Sequence, residues 1–129
     1  MRQADIFKAL ADETRLRIVR LLMLREMCVC ELETLMKLPQ PNVSRHLIKL
    51  KQAGVIESIR YGTWIYYHMN HTFLESNRWL IDACGDGPDW EQEPYMGDRT
   101  RYQRYIKYGF SCQDISLDKI RVSEIIYAD

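Results

Sequence analysis

The chain has 129 residues, and because 18 basic residues balance 18 acidic ones its formal net charge is zero. Hydrophobic residues make up 47% and charged residues 28%, which is typical of a globular domain and excludes a chain disordered throughout. The sequence has neither an apolar run near the ~18 residues that span a bilayer nor the apolar core of a signal peptide. We therefore expect a cytoplasmic protein with no membrane partner, whose four cysteines are thiols or metal ligands rather than disulfides.

The apolar spacing predicts three helices before the first proline. Residues 4–11 form a short helix, and Asp12 is the expected N-cap of a second helix over residues 13–25. A third helix continues from about Cys30. Pro39 ends it, because proline restricts the residue before it and cannot continue the backbone hydrogen-bond ladder.

A fourth helix and a hairpin follow. The helix begins at Pro41, a favoured first-turn position for proline, and Gly54 is well placed to end it. Residues 55–61 and 63–69 are rich in β-branched and aromatic residues and flank Gly62. This pattern predicts a two-stranded hairpin.

The remaining residues give weaker patterns. A single helix is predicted over roughly residues 72–84, and residues 86–98 are predicted to form an acidic loop. Residues 99–108 indicate a basic helix whose tyrosines are expected to pack on the core or on another subunit. Residues 116–127 fit a helix or a strand equally well.

Two helices joined by the four-residue turn LPQP and followed by a hairpin have the order of a winged helix-turn-helix. The predicted fold class is therefore mainly α with a small β-hairpin. The second helix of such a pair enters the major groove of double-stranded DNA, and the hairpin contacts the flanking backbone. The polar residues suited to these contacts are Gln40, Asn42, Ser44, Arg45, His46, Lys49, Arg60 and Thr63.

The charge distribution supports a contact with DNA. Residues 1–70 hold eleven basic and seven acidic residues, a difference of +4, and residues 71–129 hold the reverse, −4. From Thr34 to Gly62 there are five basic residues and one acid. A polar helix face alone would indicate no more than a solvated helix, but this local basic excess favours a nucleic-acid partner.

Several motifs, in this order and at these intervals, resemble the ArsR/SmtB family of winged-helix metalloregulatory repressors. They are LADETRLRIVRLL, CVCEL and PNVSRHLIKLKQAGVIESIRYGTWIYY. The resemblance covers roughly residues 4–70. It implies a homodimer that binds an inverted-repeat operator and is released by an inducer, with helices near residues 4–11 and 72–84 forming the dimer interface. We therefore assign residues 1–85 to a DNA-binding and dimerisation domain and residues 86–129 to a C-terminal extension, which packs on the core or on the partner subunit.

The pair Cys28 and Cys30 is the candidate sensor. In the family, Cys-Val-Cys followed by an acid and Leu marks the arsenite-responsive and the cadmium- or lead-responsive members. Thiolates select thiophilic ions, and a helix start favours the thiolate form. Positions i and i+2 lie about 200° apart on an α-helix, so we expect chelation to distort the helix start and to displace residues 41–53. As(III), and by extension Sb(III), is thus the expected inducer rather than a permanent cofactor.

As(III) prefers three sulfur ligands, and this chain departs from the family pattern at the third. Some arsenite members carry a third cysteine three residues after the second, where this chain has Glu33. Three explanations are open: the pair suffices, a small cellular thiol completes the site, or Cys112 (with Cys84 ranked below it) reaches in. Cadmium-type members add thiols from an N-terminal arm, and residues 1–27 contain no cysteine, which favours arsenite.

Other functions fit the sequence less well. The main alternative is a repressor of the same family that responds to Cd or Pb, or to a redox or persulfide signal. The zinc site of other members is not expected, because His71 and Glu75 have no second histidine after them. A thiol enzyme would need Cys-x-x-Cys or an anion-cradling loop before a helix, and neither is present. We therefore expect no enzymatic activity.

Overall fold

The computed structural model describes residues 2–85 and 91–129. Within them the chain forms eight α-helices and three short strands. In chain order they are α1 (Gln3–Leu10), α2 (Glu13–Leu24), β1 (Met27–Cys28), α3 (Val29–Met36), α4 (Gln40–Gln52), β2 (Ile56–Tyr61), β3 (Trp64–Met69), α5 (His71–Ser76), α6 (Arg78–Gly85), α7 (Tyr95–Lys107) and α8 (Cys112–Ile126). None of the helices described has the length and apolar character to cross a membrane.

The helix-turn-helix forms from local signals close to those predicted. Asp12 caps α2, since its Oδ1 accepts a hydrogen bond of 3.0 Å from the backbone N–H of Arg15. Helix α3 ends at Met36, and its C-cap residue Lys37 adopts a left-handed conformation with φ of 56°. Helix α4 begins at Gln40, one residue earlier than predicted, and buries the predicted face of Val43, Leu47 and Leu50.

The hairpin is confirmed, and a third strand extends it. Strands β2 and β3 pair antiparallel from Ile56 opposite Met69 to Tyr61 opposite Trp64, with Gly62 in the turn at a φ of 61°. Strand β1 pairs with the other edge of β3, so the strand order is β1-β3-β2. The sequence did not indicate β1. Together the two paired helices α3 and α4 and this hairpin make a winged helix-turn-helix.

The single helix predicted over residues 72–84 is wrong, because the structure breaks it into α5 and α6. The break lies at Asn77, whose backbone is non-helical (φ −129°, ψ 41°). The buried Asn77 side chain donates a hydrogen bond of 3.0 Å to the carbonyl of Phe73. The Asn77 side chain thus occupies a backbone carbonyl that would otherwise accept a helical hydrogen bond, which favours the end of α5 at this point.

The C-terminal extension consists of two helices that pack on the rest of the same chain. Helix α7 lies against α2 and α3, and α8 lies against α3 and α7. Residues 116–127, for which the sequence allowed a helix or a strand, lie mostly in α8, which has a kink at Asp118. The basic helix predicted from residue 99 is α7, and it starts four residues earlier, at Tyr95. Residues 86–90 of the predicted acidic loop lie outside the described residues.

A buried ion pair and two tyrosines hold the extension in place. Asp98 of α7 is 1% exposed and accepts two hydrogen bonds of 2.8 Å from the guanidinium of Arg17 in α2. Tyr105 is fully buried, as expected for a tyrosine packing on the core, whereas Tyr108 is 57% exposed. The Tyr127 hydroxyl donates to the backbone carbonyl of Thr34 in α3.

Candidate thiol site and DNA-reading surface

Three cysteines from distant parts of the chain come together beside the start of α3. The sulfurs of Cys28, Cys30 and Cys112 all lie within 4.8 Å of one another, and those of Cys28 and Cys30 are 2.8 Å apart. Of the two candidates for a third thiol, the structure brings Cys112 into the cluster. Cys84 lies in α6 beside a small apolar cavity lined by Val19 and other core residues, outside the only cysteine cluster among the residues described.

The cluster forms because Cys28 precedes the helix. Cys28 belongs to β1 and is the N-cap of α3, with extended backbone (φ −87°, ψ 169°), while Cys30 is the second helical residue. The angular separation of about 200° between positions i and i+2 applies only where both residues are helical. The two sulfurs therefore meet while α3 remains regular. The premise that the helix start must distort for them to converge is wrong.

The tertiary fold delivers Cys112. It is the first residue of α8, which Ser111 and Asp114 cap: the Asp114 Oδ2 accepts a hydrogen bond of 2.8 Å from the Ser111 backbone N–H. Its thiol donates to the hydroxyl of Tyr66 in β3, over 3.3 Å. Cys112 and Cys28 are buried and Cys30 is half-buried, so Cys30 is the most exposed member of the cluster.

Two of the thiols, Cys28 and Cys112, are held in the protonated form. Burial raises the pKa of Cys112 to about 12. The contact with Cys30, followed by burial, raises the pKa of Cys28 well above the usual range of a thiol. The expectation that a helix start favours the thiolate is therefore wrong here, because burial and the neighbouring sulfur outweigh the helix terminus.

A buried carboxylate lies under the cluster, and the sequence reading did not single it out. Glu31 is completely buried in α3. Its Oε1 accepts a hydrogen bond of 3.1 Å from the backbone N–H of Cys28, and its Oε2 accepts one of 2.6 Å from the hydroxyl of Tyr105 in α7. Arg25 lies 3.4 Å from the same oxygen. A buried carboxylate needs such partners, so Glu31 joins β1, α3 and α7 around the thiols.

The predicted DNA-contacting residues are distributed over α4 and the wing. Gln40, Arg45 and Lys49 are exposed on α4, and Arg60 and Thr63 are exposed at the end of the hairpin. Asn42 and Ser44 are half-buried, and Ser44 accepts a hydrogen bond of 2.9 Å from the Gln40 side-chain amide. Lys51, which the sequence reading left out, donates a bond of 2.8 Å to Ser58 and so links α4 to β2.

His46 differs from the other residues of this set. Its side chain is 12% exposed and lies against the start of α2, with Nδ1 3.3 Å from Arg15 Nη1 and 3.9 Å from Asp12 Oδ1. Burial lowers the pKa of His46 below its usual value. The ring therefore packs between the two helices, and little of it faces solvent.

The helices expected at a dimer interface carry exposed aromatic side chains. Phe7 of α1 is 48% exposed and Trp79 of α6 is 50% exposed. Their ring centroids lie 5.8 Å apart, so they form one apolar patch on the surface. Exposed apolar patches of this kind are typical of protein–protein contacts.

Comparisons with known proteins agree with this geometry. The family model for bacterial regulatory proteins of the arsR family matches residues 12–58. The chain is 46% identical, over 98 residues, to an arsenic resistance transcriptional regulator of Pseudomonas putida, covering 74% of this chain and 73% of that protein. It is 47% identical, over 67 residues, to the arsenical resistance operon repressor of Escherichia coli, covering 51% of this chain and 57% of that protein.

A solved structure shows the same fold. The homodimeric winged helix-turn-helix DNA-binding domain of a possible ArsR-family transcriptional regulator from Mycobacterium bovis superposes with a TM-score of 0.56 at 31% identity. The match covers 62% of this chain and 74% of that one.

Proposed function

The chain belongs to the arsR family of bacterial DNA-binding transcriptional repressors, and from its three converging thiols we propose that it senses As(III). In this proposal a homodimer binds an inverted-repeat operator, and As(III) or Sb(III) bound by Cys28, Cys30 and Cys112 releases it. The observation that carries the proposal is the approach of these three sulfurs to within 4.8 Å of one another.

Protonated thiols suit the chemistry of arsenite. In water As(III) is the neutral trihydroxide, and three thiols replace its three hydroxyl groups. Each S–H proton leaves with a hydroxyl as water, three As–S bonds form, and the complex is neutral. The raised pKa values of Cys28 and Cys112 do not oppose this exchange, because no proton is released to solvent.

A divalent ion meets a less favourable site. Cd(II) or Pb(II) must displace the thiol protons into solvent, and a raised thiol pKa weakens such binding. Three thiolates around a divalent ion also leave a net negative charge close to the buried carboxylate of Glu31. Both effects favour As(III) and Sb(III) over Cd(II) and Pb(II).

The DNA-reading part of the proposal uses the exposed residues of α4 and the wing. Arg45, Lys49 and Arg60 are suited to phosphates or guanine, and Gln40 and Asn42 to adenine, with Ser44 and Thr63 as adaptable partners. We propose His46 as a packing residue between α4 and α2 rather than a base-reading one. Dimerisation through the patch of Phe7 and Trp79 would set two α4 helices against half-sites one helical turn apart.

Cys112→Ser tests the three-thiol site, with Cys84→Ser as its matched control. Arsenite titrations followed by As–S ultraviolet absorbance, and by the anisotropy of labelled operator DNA, should show one As(III) per wild-type chain and loss of DNA binding. We expect Cys112→Ser to weaken As(III) binding about tenfold or more while operator binding without arsenite is unchanged. Cys84→Ser should respond as the wild type does.

Removing the pair gives the complementary test. A Cys28→Ser/Cys30→Ser variant should bind the operator and hold it in the presence of arsenite. A wild type whose operator binding ignores arsenite but responds to Cd(II), Pb(II) or a persulfide donor would refute the proposal in favour of those signals. A Cys112→Ser variant indistinguishable from wild type would leave the pair alone as the site.

A further inference from the structure

We infer that Tyr66 is the positioning residue that transmits occupation of the thiol site to the wing. The inference rests on the proposed function and adds the route by which ligand binding reaches DNA. Tyr66 is not one of the proposed DNA-reading residues, and it contributes no sulfur to the ion. Its importance comes from its place between two parts of the molecule that the proposed function requires to communicate.

The backbone supplies the first half of this route. Strand β3 is the central strand of the sheet, and Tyr66 is opposite Cys28 of β1 on one edge and opposite Ile59 of β2 on the other. Strand β1, which carries Cys28, is therefore joined to the hairpin at Tyr66. A displacement of Cys28 is therefore applied to the strand that pairs with the wing.

The side chain supplies the second half. The Tyr66 hydroxyl oxygen lies 3.3 Å from the sulfur of Cys112, which donates its S–H to it. The Tyr66 ring meets Tyr61 edge-on, with ring centroids 5.5 Å apart and planes 70° from parallel. Tyr61 is the last residue of β2 and follows Arg60, so it forms the base of the wing tip. Diagonal aromatic neighbours of this kind lie within reach across an antiparallel pair.

Ligand binding must change the contact between Cys112 and Tyr66. When the sulfur forms an As–S bond, the S–H proton leaves with a hydroxyl of arsenite as water. The sulfur then has no proton to donate, so the phenol loses its donor and faces a sulfur that can only accept. The Tyr66 O–H turns to donate to this sulfur, so the hydrogen bond reverses its direction and still joins the two residues. In this proposal the ring follows the sulfur as the ion draws it in, and it shifts against Tyr61. The wing tip, with Arg60 and Thr63, is displaced while α3 and α4 stay regular.

Tyr66→Phe removes the hydroxyl and keeps the ring, and Tyr67→Phe is the matched control. Tyr67 is the next residue of β3, opposite Met27 and Ser58, so its side chain points to the other face of the sheet. Three quantities are measured for each chain: As(III) affinity by ultraviolet absorbance, operator Kd with and without arsenite, and the indole N–H resonance of Trp64. Trp64 pairs with Tyr61 across the hairpin and reports on the wing without DNA.

In the wild type we expect arsenite to shift the Trp64 resonance and to raise the operator Kd by a factor in the usual range of about 5–150 for coupled sites. In Tyr66→Phe we expect As(III) affinity and arsenite-free operator affinity to change by less than threefold. The arsenite-induced rise in Kd should fall to threefold or less, with little movement of Trp64. Tyr67→Phe should behave as the wild type.

Each other outcome has a distinct meaning. Unchanged coupling in Tyr66→Phe, or an equal loss in Tyr67→Phe, would overturn the inference. So would a tenfold loss of As(III) affinity in Tyr66→Phe, because Tyr66 would then belong to the binding site. An arsenite-loaded wild type whose Trp64 does not move would overturn it even if the operator is released. A wild type that binds no As(III) would instead refute the proposed function.

Discussion

Asp98 is the residue whose replacement best tests how the extension is attached. Its carboxylate on α7 is 1% exposed and meets two guanidinium groups. Arg17 of α2 donates to both oxygens at 2.8 Å, and Arg101 of α7 donates to Oδ1 at 2.9 Å. Asp98→Ala would leave both arginines in place without the carboxylate between them.

The cost follows from the burial of the partners. The side chains of Arg17 and Arg101 are 10% and 16% exposed, so water replaces the lost carboxylate poorly. Removing one partner of a buried pair costs about 3–5 kcal/mol. Arg17 keeps a bond of 2.8 Å to the carbonyl of Met36, which favours the lower end, about 3 kcal/mol. At about 3–4 °C per kcal/mol for a chain of this size, Tm should fall by about 10 °C.

Thermal unfolding followed by circular dichroism measures this change, and Asp5→Ala is the control. Asp5 forms a pair of the same type with Arg2, at 3.2 Å, but on the surface, so its loss should leave Tm unchanged. Because α7 supports α8, Asp98→Ala should also weaken As(III) binding toward the level of Cys112→Ser. A Tm within about 2 °C of the parent would show that the pair is solvated and that other contacts hold the extension.

Four further substitutions test other parts of the molecule. Tyr105→Phe removes the hydroxyl that donates to buried Glu31, so the free energy of unfolding measured with urea should fall by about 1–3 kcal/mol. An unchanged urea midpoint would mean that water replaces the hydroxyl. His46 has a pKa lowered by burial, so the unfolded chain binds its proton at higher pH and stability falls as pH drops through about 6.5. Tm between pH 7.5 and 5.5 should therefore fall further in wild type than in His46→Gln, and equal slopes would contradict the burial argument. If Arg45 and Lys49 each contact one DNA phosphate per subunit, replacing either by Ala should reduce the slope of log operator affinity against log salt concentration by about 2 per dimer. An unchanged slope would mean that the side chain does not contact the DNA backbone.

The parts of the fold set by neighbouring residues were predictable from the sequence. The Asp12 cap and the Gly62 turn depend on a few adjacent residues, and both occur where predicted. Strand β1 is only two residues long and exists through pairing with β3, so no periodicity in its own sequence indicates it. The break at Asn77 likewise depends on one side chain bonding back to the helix, which apolar spacing does not register.

The members of the cysteine cluster were among the predicted candidates, but the pKa values of their thiols were not predictable. The sequence identified Cys28, Cys30 and, among two candidates, Cys112, and the fold brings these three sulfurs together. The raised pKa values of Cys28 and Cys112 could not be predicted, because they depend on the contact with Cys30 and on burial, which only the tertiary fold establishes. The same limit applies to Glu31, because neither its burial nor its hydrogen bond from Tyr105, 74 residues away in the sequence, can be read from the residues beside it.

The position at which this chain departs from some arsenite-responsive members contacts the helix that carries Cys112. Where some arsenite members have a third cysteine, this chain has Glu33, and Glu33 forms an ion pair with Lys119 of α8. The pair helps to hold α8 on α3, and the first residue of α8 is Cys112. Glu33 thus stands where some family members have a cysteine on α3, and it contacts α8, the helix that carries Cys112. On this reasoning the extension is part of the sensor, and its buried acid Asp98 does not oppose DNA binding, since it faces two arginines within the same chain.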